Sequence, residues 1–316
     1  MTYTKTEIKA PSSDGIHTLR GYIYIPDGIP KGIFHIVHGM TEHIGRYDFL
    51  MKYYAEQGYI VAGYDNLGHG RTVRRSDLGF IAPKKGYKYL VDDVHIFGEK
   101  LRKNHKGLPY ILMGHSMGSF IVRLAAEKYP EDIDKLIICG SGGPNPLAPF
   151  GLILIDLLIP FKGKRGYSKK ISKMVFGSYN KGFNEVSHSA WLSKDDEYKE
   201  KRLTDPYCNF HFTLSAMHDL IKLNYLSNLG KWYKNYKKDL PTLIISGEKD
   251  PVGEHGKGIT KVYDRLISKG AKDITFKLYK DCRHEIHNDT CREEVEADIL
   301  SFISRTDTKE TKEENV

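Results

Sequence analysis

Apolar residues along this chain recur with two different periods, and the alternation between the two is the first clue to its fold. EIKAPSSDGIHTLRGYIYIP, residues 7–26, reads as two extended stretches joined by the turn signal Ser12-Ser13-Asp14-Gly15, an opening hairpin. GIFHIVHG, ending at Gly39, is a short β-rich run, and RYDFLMKYYAEQ after it carries a helical pattern that stops at Gly58. YIVAGYDN is strand-like again. In YLVDDVHIFGEKLRKN the apolar positions Leu90, Val91, Val94, Phe97 and Leu101 fall on one helix face. PYILMGHS then reads as a buried strand, SFIVRLAAEKYP as a helix with Pro130 past its end, and DKLIICGSGG as another strand.

This order of strands and helices predicts an α/β fold: a mostly parallel sheet of about eight strands, covered by helices on both faces. The rhythm breaks at Gly142-Gly143-Pro144 and resumes near Leu240, with PTLIISGEKD and DITFKLYKD as strands and GKGITKVYDRLISKG and DTCREEVEADILSFIS as helices. The expected organisation is a core of residues 1–143 and 240–305, a mainly helical insertion of residues 144–239, and a disordered tail at 306–316. Such an insertion is expected beside the carboxyl ends of the strands, where open α/β sheets bind ligands.

Composition narrows the class. No run approaches the roughly 18 apolar residues needed to span a bilayer, and MTYTKTEIKAPSSDG lacks the apolar stretch of a secretory signal, so a cytoplasmic protein is expected. Cys139, Cys208, Cys282 and Cys291 show neither C-x-x-C nor zinc-ligand spacing and read as reduced structural thiols. The net charge of +8 is concentrated in residues 144–240, which hold 16 Lys and Arg against 9 Asp and Glu. That excess reads either as solvated lysines or as attraction to an anionic membrane surface or headgroup, whereas no nucleic-acid-binding module is recognisable.

The candidate chemistry centres on Gly114-His115-Ser116-Met117-Gly118, where a strand pattern meets a helix pattern. A G-x-S-x-G string alone is weak. Between a strand and a helix, however, the serine sits on a tight turn that exposes its Oγ at the sheet edge, and the flanking glycines relieve the crowding. A nucleophilic serine needs a base and a group that orients the base. Asp250, after one strand, and His284, after the last, supply them in the order Ser, Asp, His. His287 is the rival base, set aside because it abuts Asn288-Asp289, which reads as a helix cap. The amides of Met40 and Met117 are the candidate oxyanion-hole donors.

With those pieces in place the chain resembles the α/β-hydrolase superfamily, and within it the monoacylglycerol lipase and lysophospholipase group. VHGMTEHIGRY (37–47), YDNLGHGRT (64–72), GHSMG (114–118) and RHEIHND (283–289) carry the resemblance. It implies Ser116 as nucleophile, Asp250 as acid, His284 as base, and Met40 and Met117 as oxyanion-hole amides. It also implies bracing roles for Glu42, His43 and Arg46 around the oxyanion loop, with Asp65, His69 and Gly70 in a loop near the site.

The expected activity is hydrolysis of lipid-like carboxylic esters without cofactor or metal: monoacylglycerol first, lysophospholipid or a short-chain ester as alternatives. A silent lipid-binding protein on the same fold is the non-enzymatic alternative. The insertion is then a cap. Its most apolar part, PFGLILIDLLIPF (149–161), is either a buried helix or an exposed lip that touches lipid, and FKGKRGYSKK follows it with cations. Oligomeric state is not legible.

Overall fold

Residues 2–183 and 189–305 are described by the computed structural model; the tail expected at 306–316 lies outside the described residues. The strands are β1 (Tyr3–Pro11), β2 (Thr18–Pro26), β3 (Ile33–Val37), β4 (Ile60–Tyr64), β5 (Tyr110–His115), β6 (Lys135–Cys139), β7 (Thr242–Gly247) and β8 (Ile274–Tyr279). They form one sheet in the order β1-β2-β4-β3-β5-β6-β7-β8. The opening hairpin pairs antiparallel, with Tyr3 opposite Pro26 and Pro11 opposite Thr18, and β2 is antiparallel to β4. All remaining pairs are parallel.

Every residue of β3, β4, β5 and β6 is buried, which is why these strands read as continuous apolar runs. Their side chains alternate between two cores. Leu112, Leu136 and Ile138 face α2 (Gly86–Asn104), α3 (Met117–Lys128) and later α9 (Lys257–Ser268) through Phe97, Val122 and Val262. Ile111, Met113 and Ile137 face α1 (Asp48–Glu56) and α10 (Arg292–Ser304) through Tyr54 and Ile299.

Between β6 and β7 the chain makes α4 (Ala148–Lys162), α5 (Lys169–Phe176), α6 (Asp196–Thr204), α7 (Leu214–Ser227) and α8 (Gly230–Asn235), and no strand among the described residues. α4 packs on α7, and α7 on α3, so these helices stand over the carboxyl ends of the strands. α4 is neither wholly buried nor wholly exposed. Ala148, Gly151, Leu152 and Ile155 are buried, while Leu147, Phe150, Ile153, Leu157 and Phe161 form an outward stripe, each at least 59% exposed. Among the described residues no helix is long and apolar enough to cross a membrane.

Two expectations need correction. Cys282 and Cys291 are joined as a disulfide, because the loop after β8 folds back until their Cα atoms lie 6.5 Å apart, within bridging reach. Cys139 and Cys208 are free and buried, as read from the sequence. Asn288-Asp289 does not cap α10, whose first flanking residue is Cys291. The Asp289 carboxylate instead accepts the N–H groups of Lys194, Arg283 and Thr290.

Candidate active site

Ser116 lies between β5 and α3 with φ 53° and ψ −120°, a conformation that L-residues rarely adopt. Hydrogen bonds hold it there: Ser116 N–H donates to Cys139 O at 3.0 Å, and its own carbonyl accepts from Ser119 N–H at 2.9 Å and Ser119 Oγ at 2.5 Å. The two flanking glycines are required by close packing. A Cβ on Gly118 would stand 2.1 Å from Val37 O, and one on Gly114 would stand 2.3 Å from Gly118 O. The first turn of α3 therefore rests directly on β3 and β5. Met117 is the first residue of α3, so its N–H has no acceptor within the helix.

Asp250 follows β7 and His284 follows β8, and His284 Nδ1 lies 2.9 Å from Asp250 Oδ1. The same carboxylate accepts Val252 N–H at 2.9 Å and the Ser246 hydroxyl at 3.0 Å. Burial opposes its charge, yet the facing imidazole and these donors hold the Asp250 carboxyl below the usual carboxylate range. With Nδ1 turned to Asp250, Nε2 is the ring nitrogen left for other work. Ser116 and His284 line one cavity; no hydrogen bond joins them among the described residues, a contact that commonly tightens only once substrate is bound.

His287 is placed elsewhere. Its ring stacks on Tyr47 at 4.9 Å and meets His115 edge-on at 4.6 Å, with neither nitrogen hydrogen-bonded. Burial pushes it down to about 3, so it is a neutral core residue at pH 7.

Met40 sits between two anchored neighbours. Gly39 N–H donates to Glu42 Oε1 at 2.5 Å, and Thr41 N–H donates to His69 Nε2 at 3.2 Å. Glu42 also takes the Tyr47 hydroxyl and Arg46 Nη1. Burial raises its carboxyl, but His115 and Arg46 hold it well below the ordinary value, so it stays an acceptor. Burial likewise pushes His69 down to about 3 and keeps it neutral, with Nδ1 donating to Leu67 O and Nε2 free to accept from Thr41. Asp65 takes Ile44 N–H at 2.8 Å and Arg71 N–H at 2.7 Å, and Gly70, at φ +47°, leaves no room for a Cβ beside that carboxylate. The YDNLGHGRT loop thus buttresses the loop that carries Met40.

His43, Asp205 and Cys208 bring three potential metal donors within 4.8 Å of one another. His43 Nε2 already hydrogen-bonds with Asp205 Oδ2 at 2.8 Å, and burial pushes the Cys208 thiol up to about 12, so the trio reads as a hydrogen bond tying the loop after β3 to the end of α6.

The cavity above Ser116 measures about 690 Å³ and is walled chiefly by apolar side chains, among them Phe120, Phe150, Phe176, Phe212 and Leu220. Among the described residues no lysine or arginine lines it. The excess cations of residues 144–240 therefore point away from the cavity.

Residues 28–291 match the family described as serine aminopeptidase, S33. The chain belongs to that family of α/β-hydrolases. A protein named monoacylglycerol lipase from Mycolicibacterium smegmatis is 26% identical over 290 residues, 89% of this chain and 91% of that one. Rat monoglyceride lipase is 25% identical over 291 residues, 88% of this chain and 83% of its own length. Among solved structures, a thermostable carboxyl esterase from Bacillus coagulans in complex with glycerol superposes with a TM-score of 0.89 at 30% identity, covering 96% of this chain and 98% of that one.

Two charged residues near the site of this S33-family chain escaped the sequence reading. Glu285, next to His284, takes both terminal nitrogens of Arg46, at 3.3 and 2.9 Å. Arg202, on α6, reaches Thr41 in the loop that carries Met40. Glu285 was visible inside RHEIHND but carried no pattern of its own. Arg202 and Thr41 are 161 positions apart, and nothing local in either segment signals the contact.

Proposed function

We propose that this ester hydrolase cleaves neutral monoacylglycerols by acyl transfer to Ser116. The observation that carries the reading is the cavity: large enough to enclose a long acyl chain, apolar, open at Ser116 and His284, and without a lysine or arginine among its described lining residues. A lysophospholipid would have to bring its phosphate into that space with no lysine or arginine to pair it, at a large desolvation cost. A glycerol headgroup needs only hydrogen bonds, and Asn145, Asn224 and Tyr179 on the wall can supply them. The names of the Mycolicibacterium and rat relatives, and the glycerol in the Bacillus esterase, support the same class.

In this reading His284 Nε2 takes the proton of Ser116 Oγ as the oxygen attacks the ester carbonyl carbon. The carbonyl oxygen becomes an alkoxide and is met by the amides of Met40 and Met117. Asp250 keeps the imidazole in the tautomer that accepts at Nε2 and balances the imidazolium that forms. Collapse of the intermediate expels the glycerol oxygen, which takes the proton from His284 and leaves an acyl-Ser116. Water, deprotonated by the same nitrogen, attacks that ester, and His284 returns the proton to Ser116 Oγ as the fatty acid is released.

Residues 144–239 act as the cap of this site. Leu147 and Phe150 belong both to the exposed stripe of α4 and to the cavity wall, so the stripe runs from the cavity outward. Together with Lys162 and Lys164 at its carboxyl end, the stripe forms a peripheral docking face for anionic lipid.

Turnover on monoacylglycerols, lysophospholipids and short p-nitrophenyl esters, together with fluorophosphonate labelling, tests the proposal. Long-chain monoacylglycerol is expected to be preferred, and labelling to vanish in Ser116→Ala. Undiminished hydrolysis by Ser116→Ala removes the mechanism; faster turnover of lysophosphatidylcholine than of monoacylglycerol removes the substrate class.

A further inference from the structure

We infer that Arg202, a residue of α6, positions the loop bearing the proposed oxyanion amide of Met40, so that the helical cap completes the catalytic geometry as well as covering it. The inference rests on the acyl-transfer reading above.

Thr41, immediately after Met40, has φ +50°. A β-branched residue does not rest in the left-handed region without support from outside. The core supplies one hydrogen bond, from Thr41 N–H to His69. The other two come from α6: Arg202 Nη2 donates to Thr41 O at 3.2 Å and to Thr41 Oγ1 at 3.1 Å. On the other side of Met40, Glu42 holds Gly39 N–H. The amide proposed to face the developing oxyanion is thus pinned from both neighbours, and Arg202 is the part of that clamp contributed by the cap.

Arg202 is itself held. Its Nε lies 3.8 Å from Glu285 Oε1, and Glu285 also accepts from the Tyr198 hydroxyl, one turn earlier on α6. Arg46 joins the two carboxylates, with Nη2 2.9 Å from Glu285 and Nη1 2.9 Å from Glu42. A line of alternating charges therefore runs from α6 to both arms of the site, the oxyanion loop through Glu42 and Thr41 and the histidine loop through Glu285. The side chains of Arg202, Arg46 and Glu285 are 13%, 7% and 4% exposed, so their bonds are weakly screened by solvent. Removal of Arg202 leaves Glu285 paired with Arg46, so no carboxylate is stranded and the variant is expected to fold.

A positioning role predicts a loss in kcat without a matching change in KM, because the oxyanion exists only after attack. On a short soluble ester, Arg202→Ala is expected to lower kcat per titrated Ser116 by about tenfold or more, with KM within about threefold. Titration with a fluorophosphonate run to completion counts folded sites, so a folding defect lowers the count and not kcat. The decisive variant is Arg202→Ala combined with Thr41→Gly. Glycine adopts φ +50° without strain, so the double variant is expected to recover at least about threefold of the lost kcat. Should Arg202→Ala fail to accumulate, Arg202→Lys carries the same comparison. Unchanged kcat on loss of Arg202, or a double variant no faster than the single, overturns the inference. Activity retained in Ser116→Ala instead overturns the acyl-transfer reading, and the two failures are told apart in one set of assays.

Discussion

Gly39 lies so close to Ser116 that a Cβ on the glycine would stand 2.9 Å from the serine Cβ and 2.7 Å from Glu42 Oε1. The main chain of the loop that carries Met40 thus packs directly against the serine turn. Gly39→Ala must push the two apart. If Met40 N–H meets the developing oxyanion, Gly39→Ala lowers kcat on a soluble ester by roughly a hundredfold while KM changes little. An unchanged kcat, measured on protein of near-native thermal stability, places the oxyanion donor elsewhere.

His284 and His287 are three positions apart and in opposite circumstances. His284 pairs with Asp250 on the cavity wall, whereas His287 is packed between Tyr47 and His115. His284→Ala is expected to reduce kcat by about a thousandfold or more. His287→Ala removes a buried ring, costing on the order of 1–3 kcal/mol of stability, with kcat per folded molecule within about tenfold. Kinetics and thermal melts of both variants decide; an active His284→Ala beside a dead His287→Ala exchanges the assignments.

What could be read in advance and what could not divide along physical lines. The buried strands β3 to β6 are apolar on both faces, so each announced itself as a short continuous run; the turn carrying Ser116 was found at the end of one of them, and Asp250 and His284 at the ends of the strand patterns that became the buried β7 and the half-exposed β8. Periodicity has no access to pairings across the fold. The contact of Arg202 with Thr41 and the convergence of Glu42 and Glu285 on Arg46 each join segments from different elements. The Cys282–Cys291 bridge was hidden for a related reason: a spacing of nine residues has no motif, and only the return of the loop after β8 brings the thiols together. α4 was ambiguous because a helix apolar all round does not tell from sequence which of its faces is covered.

Asp219 on α7 provides a test of how the inserted helices are joined to the rest of the fold. It is 1% exposed and lies against the amino terminus of α2, where a Cβ on Gly86 would stand 2.4 Å from Asp219 Oδ2. Burial pushes its carboxyl up to about 7, against the lowering pull of the Tyr87 and Gly86 N–H groups. A carboxyl raised on folding contributes stability that is fully present below its unfolded value near 4 and is lost as pH rises through about 7. Asp219→Asn removes that titration. The variant is expected to melt higher than the parent at pH 8, by an amount that shrinks or vanishes at about pH 5. Equal differences at the two pH values show that Asp219 does not titrate in this window.

The stripe on α4 makes its own forecast, separate from the chemistry. Leu157 and Phe161 are 63% and 88% exposed and do not line the cavity, so their replacement leaves the reaction centre untouched. If the stripe docks on lipid, Leu157→Ser combined with Phe161→Ser removes apolar area that would otherwise be taken out of water, at roughly 25 cal/mol per Å². Hydrolysis of monoacylglycerol in anionic vesicles should then fall several-fold, with no loss on a soluble short ester. The neighbouring lysines add a second signature, because attraction between exposed charges is screened as salt rises from about 0.1 M toward 1 M. The vesicle reaction should weaken with salt and the soluble one should not. A double variant that acts on vesicles as fast as the parent, with both reactions equally sensitive to salt, assigns the stripe no part in lipid contact and leaves the cavity alone to select the substrate.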